Sequence, residues 1–395
     1  MMISTTPEVD TLLEIGAPLI ICVSGGKDSR LVAEETVSYA RRNNHSGRII
    51  LIYSDLGEVV WADATAQCQR LAQRLHVELQ IVRRNAGGLM ERWSKRWANN
   101  VDRYINLSCV KLILPWSTPQ LRFCTSELKT QVIQRWIRKT FNEPVICVLG
   151  IRRDEGNSTK TGRGIAPVSK LYTRKPDGKK PPLPIGSVDW NAIVDVKTTE
   201  VVQIMRASSE PIPRSYLYGA TRYSCSFCIM ATKADLLAAT SDHHNHDIYR
   251  QQCELEIGST FSFQSNLWLS DIAPHLLTPD QQARLPISKE KAKARTTIEA
   301  TIPPHLLYEK GWPNFVPTLD EANLLADVRQ QIATIMTIDL NYTTPGSILD
   351  RYEELIRKKP KQSRKQTETS RTKPPHPSIP TVPSFQPQIP VLFQI

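Results

Sequence analysis

Six residues, Ser24-Gly25-Gly26-Lys27-Asp28-Ser29, constrain this chain more than any other stretch. They follow an apolar run, Pro18 to Val23, and precede an alternating apolar and polar stretch that begins at Arg30. A strand that feeds a helix through two glycines aims several backbone N–H groups, and the positive end of the helix dipole, at one spot. That spot suits a phosphate. The glycines let the backbone approach an anion closely, Lys27 adds charge, and Ser24 and Ser29 supply hydroxyls. Asp28 is read either as a helix cap or as a magnesium ligand. The longer Gly-x-x-x-x-Gly-Lys-Ser/Thr spacing that cradles a transferred γ-phosphate is absent.

From Pro18 to about Gly150, short β-branched runs alternate with amphipathic helices, the pattern of a parallel sheet with crossover helices. Strands are expected at Leu19 to Val23, Arg48 to Ser54, Val77 to Val82 and Val145 to Gly150. In open α/β sheets ligands sit beyond the carboxyl ends of the strands. The turn at Ser24 and the turn Ser54-Asp55-Leu56-Gly57 both belong there, with Asp55 available to a ribose, an adenine edge or a metal. Gly150-Ile151-Arg152-Arg153 follows another strand and brings two guanidinium groups to the same rim, where arginine matches phosphate or sulfate oxygens in a planar way.

The eight cysteines are not read as a disulfide framework. Cys22, Cys68, Cys109 and Cys147 fall in apolar or helical patterns and read as packing residues. Cys124 stands just before an expected helix start, with Thr125 as its N-cap and Lys129 nearby, so its thiolate is favoured by the dipole. Cys225 and Cys228 form a Cys-x-x-Cys pair suited to a metal, an iron–sulfur cluster or a redox disulfide. If Cys124 joins them in space, Cys253 is the nearest downstream candidate for a fourth ligand. His243, His244 and His246 read as a polar loop before a metal site.

Residues 166 to 190 are irregular and basic around Arg174, Lys175, Lys179 and Lys180, and read as a substrate-side flap. Beyond residue 258 the chain reads as helical support: Thr318 to Glu321 is a capping box, and Ser347 to Asp350 starts another helix. The formal charge is +11, of which +7 falls between Arg357 and Lys373. That stretch opens a basic, proline-rich tail, 358–395, expected to be disordered or to bind nucleic acid. No apolar run approaches the roughly 20 residues that span a bilayer, and the start lacks the pattern of a signal peptide. A cytoplasmic protein is expected.

Taken in order, these motifs resemble the phosphoadenosine phosphosulfate reductase superfamily, with its SGGxDS loop of ATP pyrophosphatases. Within it they resemble the DNA-phosphorothioation sulfurtransferase branch. The likeness rests on Ser24 to Ser29, Asp55 to Glu58, Arg122 to Lys129, Gly150 to Glu155, Asp189-Trp190, and Tyr218-Gly219 leading to Arg222, Cys225 and Cys228. It implies an adenine-nucleotide α-hydrolase-like, Rossmann-like α/β domain over 18–258, preceded by a segment 1–17 and followed by a helical extension, 259–357. It also implies use of ATP or an adenylyl sulfate and, in the iron–sulfur branches, a [4Fe–4S] cluster at Cys124, Cys225 and Cys228; with ATP, a magnesium ion is expected to bridge the phosphates.

On this reading the enzyme adenylates a substrate oxygen, releases pyrophosphate and prepares that position for sulfur. Lys27, Asp28, Arg152 and Arg153 are the candidate catalytic groups, and Ser24 to Ser29, Asp55 and Gly150 hold ATP. DNA or RNA is the candidate acceptor, and a cysteine desulfurase the kind of protein that supplies sulfur. The alternatives are an adenylyl-sulfate reductase, against which the absence of a C-terminal Glu-Cys-Gly-Leu-His segment argues, and a non-catalytic nucleotide- or DNA-binding subunit with structural zinc.

Overall fold

The computed structural model describes residues 2–155, 165–174, 176 and 178–359. The tail beyond Lys359 and Lys175 of the expected flap lie outside the described residues.

After α1 (Pro7–Glu14), the chain alternates β1 (Leu19–Val23), α2 (Lys27–Arg42), β2 (Ile49–Asp55), α3 (Ala64–Leu75), β3 (Glu78–Arg83) and α4 (Leu89–Ile105). Then come α5 (Phe123–Thr125), a π-helical turn (Ser126–Thr130) and α6 (Gln131–Thr140), which run into one another. The sheet is completed by β4 (Ile146–Val148), β5 (Val168–Leu171) and β6 (Val188–Trp190). Its order is β3-β2-β1-β4-β6-β5, parallel except for β5, which runs antiparallel to β6 at the edge. Placing β1 centrally puts the tips of β1, β2 and β4 side by side.

β1 is apolar on both faces because both are covered. Leu19, Ile21 and Val23 pack with α1, α2 and α3, and Ile20 packs with Val132, Ile137 and Phe141 on and just after α6. The segment 2–17 contributes to this core: Val9, Leu12 and Leu13 of α1 are buried in it, and the Ser4 N–H donates to the Ala192 carbonyl.

The second half is helical: α7 (Thr198–Ala207), α8 (Arg214–Leu217), α9 (Lys233–Thr240), α10 (His246–Ser259), α11 (Pro279–Glu299), α12 (Leu319–Met336) and α13 (Pro345–Arg357). No core boundary falls at residue 258. One cluster runs from Leu56, Trp93 and Phe123 through Phe227, Ile257 and Phe263 to Leu285. Another joins Tyr104 and Leu107 to Leu325, Ile332, Ile348 and Tyr352. Capping boxes start α12 at Thr318 and α13 at Thr344, three residues before the expected Ser347, because Thr344 and Ser347 are themselves the reciprocal pair. No helix among the described residues is long and apolar enough to cross a membrane.

Candidate functional site

The loop after β1 closes on Ser29. Its hydroxyl accepts from the Ser24 N–H (3.1 Å) and the Ser24 hydroxyl (3.3 Å) and donates to the Gly26 carbonyl (2.9 Å). Gly25 is left-handed, φ +86°, where a side chain is strained. A Cβ on Gly26 would lie 2.6 Å from the Tyr223 Cβ, so glycine is needed for close packing as well. The N–H groups of Gly25 and Gly26 find no acceptor among the described residues.

Ser24, Asp28 and Ser29 line a cleft of about 560 Å3 at the strand tips, together with Gly150. Cys124, Cys225 and Cys228 line the same cleft, although about 100 residues separate Cys124 from the pair. Two tethers bring them there. The Cys225 segment bridges Val60, and the Ser226 N–H donates to the Val59 carbonyl (2.8 Å), so the Cys-x-x-Cys turn is strapped to the loop after β2. Cys124 lies in the first turn leading to α6, and the Ser54 hydroxyl donates to the Leu128 carbonyl (2.6 Å), fixing the π-helical turn to β2. Thr125 is inside that turn rather than capping it. Such π-turns commonly mark functional sites, because the wider turn re-aims neighbouring side chains.

The sulfurs of Cys124, Cys225 and Cys228 do not all lie within 4.8 Å of one another: among the described residues the one trio of ligand atoms that close is Asp242, His243 and His244. Tetrahedral zinc brings thiolates closer than that, to about 3.8 Å, from bonds of ~2.3 Å. A four-iron cube holds its thiolates wider apart, and three cysteines on one cleft are a donor set that either centre uses. Burial pushes the Cys225 thiol up to about 12, reinforced by Cys228 and Cys124 and opposed by Lys129. Cys253 is not brought to the cleft. It is fully buried on α10 beside Tyr249 and Ser270, where burial raises its pKa further.

The other expected groups divide sharply. Asp28 faces the cleft, but its Oδ1 receives the Arg152 Nε (2.9 Å) and Nη2 (2.8 Å), and its Oδ2 meets the Lys27 Nζ (3.2 Å). It is an anion already held by two cations, not an open magnesium ligand. Arg152 is 2% exposed and also bonds Thr198 and the Val196 carbonyl, so it positions the helix start instead of lining the cleft. Arg153 turns away to Asp195 and the Ile165 carbonyl. Lys27 is buried against the Thr221 carbonyl (3.4 Å) and lies 5.4 Å from the Tyr216 ring centroid, bordering a small hollow on the opposite side of the loop. Asp55 does not line the cleft. Its Oδ1 accepts from the Gly57 N–H (2.8 Å), which shapes the turn.

The cations that do line the cleft are Arg122, Lys129 and Arg222, and none of them is paired with a carboxylate among the described residues. Arg222 was legible only as a neighbour of the cysteine pair. Asp235 is also there, taken up by Thr221 and Thr232. Cys22 and Cys147, read as packing residues, line the cleft from adjacent strands with their sulfurs 3.9 Å apart.

The trio at Asp242 is a structural knot. Burial alone would raise Asp242, but the Arg214 guanidinium, in bonds of 2.6 and 2.7 Å, and His244 outweigh it and bring the carboxyl down to about 2. With Arg214 on both its oxygens, Asp242 has little left for a metal ion.

No protein-family model matches the chain, and no curated protein matches it.

Proposed function

We propose that the protein is an ATP pyrophosphatase-type enzyme with an adenine-nucleotide α-hydrolase-like domain, which adenylates a substrate oxygen so that sulfur can replace it. The observation that carries this reading is the convergence of the Ser24 to Ser29 loop and three cysteines, distant in sequence, on one cleft. The loop's free N–H groups and the start of α2 suit the phosphates of ATP. Arg122, Lys129 and Arg222 supply the positive charge that opposes a departing pyrophosphate, in the role first read for Lys27. Asp28, clamped by Arg152, orients the loop. Magnesium would accompany ATP, bridging its phosphates.

Cys124, Cys225 and Cys228 would hold a [4Fe–4S] cluster, which supplies sulfur-handling and electron-carrying chemistry beside the nucleotide. Nucleic acid is the acceptor class that suits the chain's +11 charge, and a cysteine desulfurase is the kind of partner that delivers sulfur.

The test is pyrophosphate release from magnesium ATP by anaerobically purified protein, with and without DNA, with iron and sulfide measured alongside. Release that falls about 100-fold in Gly26→Val or Ser29→Ala, from an iron-containing protein, is the expected result. A zinc-loaded protein that binds DNA but never releases pyrophosphate would replace this reading with that of a binding subunit.

A further inference from the structure

The inner end of the cleft is built differently from its mouth. Cys22, Ile133, Cys147, Leu149 and Leu183 make apolar walls, and two polar side chains, Gln134 and Asp189, stand among them. Both are joined through Tyr172. The Tyr172 hydroxyl donates its single proton to Asp189 Oδ2 (2.9 Å), so it can only accept from Gln134, whose Nε2 lies 3.4 Å away. That order fixes the Gln134 amide. One Nε2 proton faces Tyr172, and the other Nε2 proton and Oε1 are left over.

Gln134 Oε1 and Asp189 Oδ1 therefore remain without a hydrogen bond among the described residues, and neither is among the buried unpartnered atoms. Both side chains line the cleft, and both leftover atoms are acceptors. Two acceptors beside the one remaining N–H of the Gln134 amide, between apolar walls, suit a flat group that presents two N–H bonds next to a ring nitrogen. An exocyclic amine beside a ring nitrogen of a nucleobase is such a group, whereas an oxo group in its place would set a lone pair against each acceptor and keep only the Gln134 N–H to bond.

Distance along the strands fits the same ligand. Cys22 stands two residues before Ser24 on β1, so the apolar wall begins about 7 Å from the phosphate-binding loop. A ribose spans that interval.

Resting on the nucleotide reading above, we infer that Gln134 and Asp189, oriented by Tyr172, form the base-selecting end of the site and admit an amino-substituted base, adenine, while rejecting its oxo counterpart. They are specificity-determining residues.

The experiment measures equilibrium binding of magnesium ATP and magnesium ITP to the full-length protein, with CTP and UTP as the corresponding pyrimidine pair. Wild type is expected to prefer ATP to ITP by about 10- to 100-fold. Asp189→Asn replaces an acceptor by a donor, and should narrow or reverse that ratio through gain of ITP as well as loss of ATP. Gln134→Leu should narrow it through loss of ATP alone, and Gln134→Glu, which keeps an acceptor, should restore it. Gln134 is only half-buried, so its variants remain informative if Asp189→Asn fails to fold. Equal binding of ATP and ITP, with the ratio unmoved in the variants, overturns the base-selecting role and leaves the nucleotide site standing. A preference for CTP over both purines overturns adenine as the base. Binding of none of the four overturns the nucleotide reading itself.

Discussion

Arg152 holds Asp28 from beneath the loop, with two bonds to one carboxylate oxygen, and is almost sealed from water. Removing one partner of such a pair leaves a charge poorly solvated. Arg152→Met is expected to cost about 2–3 kcal/mol of stability, read by urea unfolding, and to weaken ATP binding, because Asp28 loses its anchor. Arg152→Lys keeps the charge but loses the planar fork, and should fall between the two. Lys27 invites a different expectation. Its ammonium is spent on Asp28, Thr221 and Tyr216, so Lys27→Ala should slow pyrophosphate release less than Ser29→Ala does.

The loop at Ser24 and its glycines were legible in the sequence because turn chemistry is local. Which side of the loop each side chain faces was not. Residues 27, 28 and 29 stand about 100° apart around the start of a helix, so Lys27 turns away while Asp28 and Ser29 face the cleft. The same blindness applies to Arg152 and Arg153, read as a pair and sent in different directions.

Among the elements, α10 carries an acid that governs the loop behind it. Glu256 is fully buried and accepts from the N–H groups of Phe263, Leu269 and Ser270 and from the Ser270 hydroxyl. Burial outweighs these donors and pushes its carboxyl up to about 7. Its folded value thus lies above the ordinary 4.5, so between those values the native state binds a proton that the unfolded chain has lost. The group's contribution is present below about pH 4.5 and lost as pH rises through 7. Unfolding free energies at pH 5 and pH 7.5 should therefore show wild type losing on the order of 2 kcal/mol more than Glu256→Gln over that interval.

Strands β1 to β4 were legible to within one or two residues: β1, β2 and β4 are buried, apolar runs, and β3, largely unburied at the sheet edge, showed as a short stretch that alternates apolar and polar residues. β5 and β6 were not. They have four and three residues; β5 is largely exposed, and the alternation of Val188, Asp189 and Trp190 in β6 is too short to mark a strand. Asp189, which proved to sit in the cleft, belongs to one of these unread strands.

At the scale of the whole molecule, charge and core tell separate stories. Two of the core clusters join residues from before and after position 258, so the expected division there does not follow a cluster boundary; apolar periodicity marks helices but not which cluster they join. The charge is concentrated instead. Ending the chain after Lys359 removes five lysines or arginines and one glutamate. If nucleic acid is the acceptor, the slope of log affinity against log salt for a DNA duplex should shrink by up to about 4, and pyrophosphate release without DNA should hold. Filter binding over a salt series reads this directly.

The bridge between Val60 and Cys225 has one more consequence. Because the turn after β2 and the cysteine turn share that fastening, in protein that holds no cluster an oxidant that cross-links Cys225 to Cys228 would pull on the wall of the cleft as well. Exposure to air should then show first as weakened nucleotide affinity, before any loss of helix content, and a reducing agent should return it. If the cleft holds ATP as proposed, the fold would feel the redox state of its thiols through its grip on the nucleotide.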